Sequence, residues 1–264
     1  MPASAQTLSS VSGSIKEIPS TFRFMGLAIL LWVSSFSCHV VQSQQPKAPL
    51  EKPIPTSTME KFPGFFSFYR DKTTGKIWLE IEQFDLPFLY VTSLASGLGS
   101  NPVGLDRGQL GATRLVEFHR VGPEIFLEQQ NLKYRASSEN PAEKKAVRDS
   151  FAASILWSGT AKTADHGKVV VDITPLLVRD AHDCIGKLSR TGQGTFAFDR
   201  KRSFVNEQGT RGFPDNCEFD ITSTFHSQSP GSLVRSVSAT GHSITLRQHH
   251  SLVRLPDDQY SPQI

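Results

Sequence analysis

The feature that most constrains this chain is a period-two alternation of apolar and polar residues, repeated along most of its length beyond residue 60. In Lys76 to Glu82 (KIWLEIE), Ile77, Leu79 and Ile81 fall on one face and Glu80 and Glu82 on the other, the pattern of a half-buried strand. Aromatic-rich Phe65 to Tyr69 precedes it, and Lys72-Thr73-Thr74-Gly75 supplies turn chemistry between them, so the two read as a hairpin. Pro87 to Ser96 reads as a more buried strand. Arg114 to Val121 and Glu124 to Gln130 flank Gly122-Pro123, a second hairpin. Further strands are expected at 168–174, 195–199, 217–225, 233–239 and 242–248. One segment breaks the rhythm. Asn140 can cap free amides, Pro141 suits the first helical position, and Glu143 sits where a capping-box acid reaches back. Val147, Phe151 and Ile155 then recur every four residues, a stripe expected to pack on the sheet. A second helical turn is expected around Pro175 to Leu188. The expected fold is mainly β (α+β): antiparallel sheets with one or two helices packed on them.

The beginning of the chain has a different character. Met25 to Phe36 is an apolar run of about a dozen residues, too short for a bilayer crossing of about 20. With Lys16 and Arg23 ahead of it and Val41-Gln42-Ser43 behind, it reads as a secretory signal peptide spanning 1–43. Residues 44–59 are rich in Pro, Gln, Ser and Thr and read as a flexible linker. The expected product is exported, to the periplasm or the extracellular space. A lipid anchor at Cys38 is not expected, because Ser35 stands where a lipobox wants an aliphatic residue. Cys184 and Cys217 remain after cleavage. In an oxidising compartment they are a candidate disulfide, and the alternative is two unpaired thiols.

Motifs that carry chemistry are sparse. The net charge is +3, and no basic stripe interleaved with aromatics calls for a nucleic-acid partner. Gly97 to Gly111 (GLGSNPVGLDRGQLG) is the most distinctive stretch. It opens like a dinucleotide fingerprint, but Pro102 takes the third glycine position and no βαβ unit surrounds it. It therefore reads as a structured loop pinned by Asp106 or Arg107, and as a candidate domain-docking loop formed by Gly97, Gly99, Ser100, Asn101, Asp106, Arg107 and Gly108. None of the eight histidines begins a His-Glu-x-x-His pair, the spacing that puts two imidazoles on one helix face around zinc. His249 and His250 are adjacent and, in a strand, point to opposite faces. His182-Asp183-Cys184 lacks a second cluster at metal spacing. Glu80, Glu82, Asp180 and Asp183 read as solvated carboxylates. No catalytic residue, metal ligand or cofactor is assigned to this chain.

Several stretches taken in order carry a family resemblance. They are Gly64 to Tyr69, Trp78 to Ile81, Pro87 to Val91, Gly97 to Asn101 with Gly104 to Gln109, Asn131, Tyr134 to Ala136, Ser150 to Ser154, His249 to Leu252 and Leu255-Pro256. Together they resemble the domain of unknown function that precedes the catalytic domain in exported bacterial metzincin-like zinc-dependent metalloproteases. The resemblance implies a β-rich module over 60–257, with 258–264 as the truncated start of the next segment. It also implies that zinc and its ligands belong to the catalytic domain, the expected partner of this module. The function so implied is a non-catalytic scaffold or propeptide-like module, inactive alone. The alternative is a stand-alone exported binding module.

Overall fold

A computed structural model describes residues 52–257. The leader, most of the linker, Cys38 and the segment 258–264 lie outside the described residues. The strands, in chain order, are β1 (Glu60–Phe62), β2 (Phe68–Arg70), β3 (Ile77–Glu80), β4 (Phe88–Ser96), β5 (Leu110–Val121), β6 (Glu124–Gln129), β7 (Ser154–Thr160), β8 (Lys162–Thr163), β9 (Val169–Asp172), β10 (Ala197–Phe198), β11 (Phe204–Phe213), β12 (Asn216–His226) and β13 (Ser243–Arg254). The helices are α1 (Pro141–Ser150), α2 (Thr174–Leu177), α3 (Cys184–Arg190) and α4 (Ser232–Val237). Every pairing between these strands is antiparallel, as expected, and the one isolated bridge among the described residues, Ile54 to Ala164, is parallel.

Local chemistry sets the two hairpins. The Asp71 carboxylate accepts from the amides of Thr73 and Thr74, and the Gly75 amide donates to Asp71 O at 2.8 Å, which closes the β2–β3 turn. Gly122, at φ +58°, turns β5 into β6, a conformation that costs glycine little. The strands form two sheets. The smaller has the order β1-β2-β3-β9-β8, and the larger runs β10-β12-β13-β4-β5-β6-β7 with β11 also on β12.

One face of the large sheet is covered along its length. At one end Phe88, Phe118, Ile125 and Phe219 pack against Phe68, Ile77, Leu79 and Val171 of the small sheet. At the other end Leu94, Phe225, Ile244 and Leu246 pack against α3, α4 and the glycine-rich loop. Burying each such side chain contributes about 1.5–3 kcal/mol.

Four expectations are corrected. Residues 233–237 lie in α4, and 238–239 follow it as a bend, rather than forming a strand, because the Gln193 side chain accepts from the amides of Leu233 and Val234 and seats Val234 in the core. Helix α1 starts as expected, with the Asn140 side chain accepting from Ala142 N at 2.9 Å. However, Glu143 does not reach back, since the Asn140 amide donates to Ser138 Oγ instead. The stripe on α1 buries nothing: the helix stops at Ser150, and Ile155 sits 63% exposed in β7. Glu80 is not solvated but 1% exposed, held by Tyr69 Oη at 2.7 Å and Lys168 Nζ at 2.9 Å. A buried carboxylate persists only where such donors replace water.

Candidate functional site

The glycine-rich loop joins β4 to β5 and is folded onto the core. Leu98, Val103 and Leu105 point inward and are buried. The Leu98 amide donates to Leu105 O at 2.8 Å and the Gly108 amide to Leu94 O at 2.7 Å, which cinch the loop's two arms. Between them Asn101–Val103 makes a single 3-10 turn: Val103 N donates to Ser100 O and Gly104 N to Asn101 O. Ser100 is itself buried. A Cβ on Gly97 would lie 2.5 Å from both Arg107 N and Leu105 O, so only glycine fits where the arms cross. Gly99 holds φ +84° in open space.

The loop's outer rim is different. Gly99, Asn101, Pro102, Arg107, Gly108 and Leu110 are exposed, Leu110 by 74%. The pinning role expected of Asp106 and Arg107 is not observed: neither side chain has a hydrogen-bond or ion-pair partner among the described residues, and backbone bonds hold the loop instead. The structure thus brings all seven candidate residues into one loop and leaves the two charged ones free.

The loop's last residues meet a buried polar seam that sequence reasoning missed. Lys187 Nζ donates to Gln109 Oε1 at 3.0 Å and to His182 Nε2 at 2.9 Å. Because an ammonium only donates, His182 Nε2 is the acceptor and Nδ1 carries the proton. Burial and the Lys187 cation pull the His182 pKa down to about 4, so the imidazole is neutral. The Gln248 carboxamide oxygen accepts from the amides of Ala181 and His182, and its nitrogen donates to Ser223 Oγ and Arg179 O. His250, fully buried one turn of the pleat along β13, lies 2.8 Å from Tyr90 Oη through Nδ1. Burial first, then the Arg179 cation, lower its pKa to about 3. The seam lies between the two apolar clusters and fixes segment 179–187 onto the sheet. The signal available in sequence was Gln248 and His250 at alternate positions with Leu246 and Leu252, polar residues in phase with an apolar face.

The other candidates do not converge. His249 lies on the opposite face from His250, 2.5 Å from Glu218 Oε2. Asp183 turns outward at φ +55° to pair with Arg190, while Cys184 is buried. Asp180 accepts from the amides of Cys184 and Ile185 and so begins α3. Cys184 and Cys217 are free thiols in separate apolar clusters, so the candidate disulfide is not formed. Cys217 Sγ instead donates to Phe66 O at 3.0 Å. Burial raises both thiol pKa values, that of Cys217 to about 12, which makes them inert. Among the described residues no three His, Cys, Asp or Glu side chains gather around a point a metal could occupy.

Residues 108–264 match a domain of unknown function, DUF5117, and residues 51–97 match another, DUF5118. The chain belongs to the DUF5117 family. The DUF5118 stretch holds β1 to β4, and the DUF5117 stretch begins just before β5; the glycine-rich loop bridges them. The two stretches share both sheets, since β3 pairs with β9 and β4 lies between β13 and β5. No curated protein and no solved structure matches the chain.

Proposed function

We propose that this DUF5117 chain is a non-catalytic N-terminal module of an exported zinc-dependent metalloprotease, acting as a scaffold or propeptide-like partner of a catalytic domain. The reading is supported by the ordered motifs from Gly64 to Pro256 and by the leader-like Met25 to Phe36. The observation that carries it is the glycine-rich loop. Its interior is locked into the core while Asp106, Arg107 and Leu110 face outward with no partner among the described residues. A surface pre-ordered in this way loses little entropy when another domain covers it.

The residues described here do not fit a zinc site: His182, Asp183 and Cys184 diverge. In this reading zinc and its ligands belong to the catalytic domain, and no step of hydrolysis is assigned to this chain. The mature module is periplasmic or extracellular and contacts neither nucleic acid nor a lipid anchor. No described helix is long and apolar enough to cross a membrane.

Two measurements test the proposal. The purified chain is expected to hold no stoichiometric zinc and to cleave no protein. In a full-length relative, replacing the residues equivalent to Asp106 and Arg107 by alanine is expected to lower chelator-sensitive proteolysis by about tenfold, the loss of roughly 1.4 kcal/mol of docking energy. Robust chelator-sensitive proteolysis by this chain alone would overturn the reading.

A further inference from the structure

The second face of the large sheet is crossed by the segment that links β6 to β7. That segment carries α1, whose residues are all at least partly exposed. A cleft of ≈ 370 Å³ lies between the helix, the loop before it and the sheet. Its volume is in the range of small-ligand sites, and three independent features of its lining are unusual.

The floor carries Glu117 and Glu128, which are direct cross-strand partners on β5 and β6. Like charges facing each other across a ladder destabilise a sheet. Neither glutamate has an ion-pair partner among the described residues, whereas Glu139 and Asp149 on the same segment are taken up by Lys144 and Lys145. One wall is a ring stack, Tyr134 on Phe151, with centroids 3.8 Å apart and planes 11° from parallel. The stack is left 43% and 36% exposed rather than driven into the core. The remaining charged lining residues are Lys144, whose ammonium is taken up by Glu139, and Arg135 and Arg148, and no carboxylate among the described residues pairs with either guanidinium. The cleft therefore presents unneutralised carboxylates, unneutralised guanidiniums and bare aromatic surface together.

We propose that this cleft binds a short peptide with free ends: the ammonium on Glu117 and Glu128, the carboxylate on Arg135 and Arg148, and an apolar side chain against the Tyr134–Phe151 stack. A polyanion meets the glutamate pair and a polycation meets the arginines, so only a ligand carrying both charges satisfies every group. The guanidinium fork suits a carboxylate, and the stacked rings suit an aromatic or aliphatic side chain. Such a site gives the module a ligand of its own, whether or not a protease domain is its partner.

The test is calorimetry of the full chain with alanyl-phenylalanyl-alanine and with its N-acetylated and C-amidated forms. The free tripeptide is expected to bind, and each blocking group to weaken binding by about tenfold or more, the worth of one charge-assisted contact. In Glu117→Gln with Glu128→Gln, acetylation should cease to matter while amidation still does. In Arg148→Ala the effect of amidation should shrink and that of acetylation persist. Unaltered melting curves confirm that these surface variants are folded, and the blocked peptides test the wild-type chain directly. Absence of binding at millimolar peptide, or blocked peptides that bind as well as the free one, overturns the proposal.

Discussion

Gly97→Ala should be among the most damaging single-methyl additions to this protein. The added Cβ would lie 2.5 Å from Arg107 N and Leu105 O and 2.7 Å from Asp106 C, all backbone atoms. Those atoms cannot retreat cheaply, because Leu98 N to Leu105 O holds the same crossing at 2.8 Å and Leu105 is fully buried. Overpacking of this kind costs about 1–3 kcal/mol, and with no flexible side chain to give way the upper end applies. A domain of this size loses roughly 2–4 °C of Tm per kcal/mol, so the expected drop is about 6–12 °C. Gly99→Ala is the control two residues away. Nothing lies within 4 Å of its Cβ, and the penalty comes only from φ +84°, about 1 kcal/mol or roughly 2–4 °C. Calorimetric melts of the two variants decide the matter. If Gly97→Ala melts no lower than Gly99→Ala, the loop arms do not cross as described.

Three further outcomes are expected. A protein of residues 108–264 should show little fixed tertiary structure by near-ultraviolet circular dichroism, and adding the 51–97 peptide should restore it; cooperative melting of the shorter piece alone would refute the shared-sheet argument. His182 and His250 are held neutral with pKa values lowered to about 4 and about 3, so between pH 6.5 and about 4 the unfolded chain binds more protons than the folded one. Stability is therefore intact above pH 6.5 and falls as pH drops, by up to about 2.7 kcal/mol per unit for the pair. Urea titrations should show His182→Gln with roughly half the wild-type slope between pH 6.5 and 5. Finally, Cys184 and Cys217 should react with a thiol reagent only in denaturant; a reducible bond between them would contradict their separate burial.

What was legible in the sequence was whatever rested on local pattern. The two hairpins followed from Gly75 and Gly122 between alternating runs, and α1 was announced by Asn140-Pro141. What failed depended on distant partners. Leu233 to Ala239 alternates like a strand, but Gln193, far off in sequence, satisfies the amides at the start of a helix there. Glu80 sits on the polar phase of its strand, yet Tyr69, Lys168 and His166 close over it. The glycine-rich loop was recognisable as a loop from composition alone. That its backbone, and not Asp106 or Arg107, holds it shut depends on the contact between its arms. The glutamate pair was invisible for the same reason, since the register that sets Glu117 opposite Glu128 is a pairing fact.

The position of β4 between β5 and β13 has a consequence in time. A ribosome making about 5–20 residues per second reaches β13 roughly 7–30 s after it finishes β4. Throughout that interval one side of β4 is an unpaired edge bearing Tyr90 and Leu94, and His250 has not yet arrived to meet its tyrosine. The large sheet cannot close until β13 emerges, and in the meantime the open side of β4 offers its unpaired amides and carbonyls to any strand that meets it.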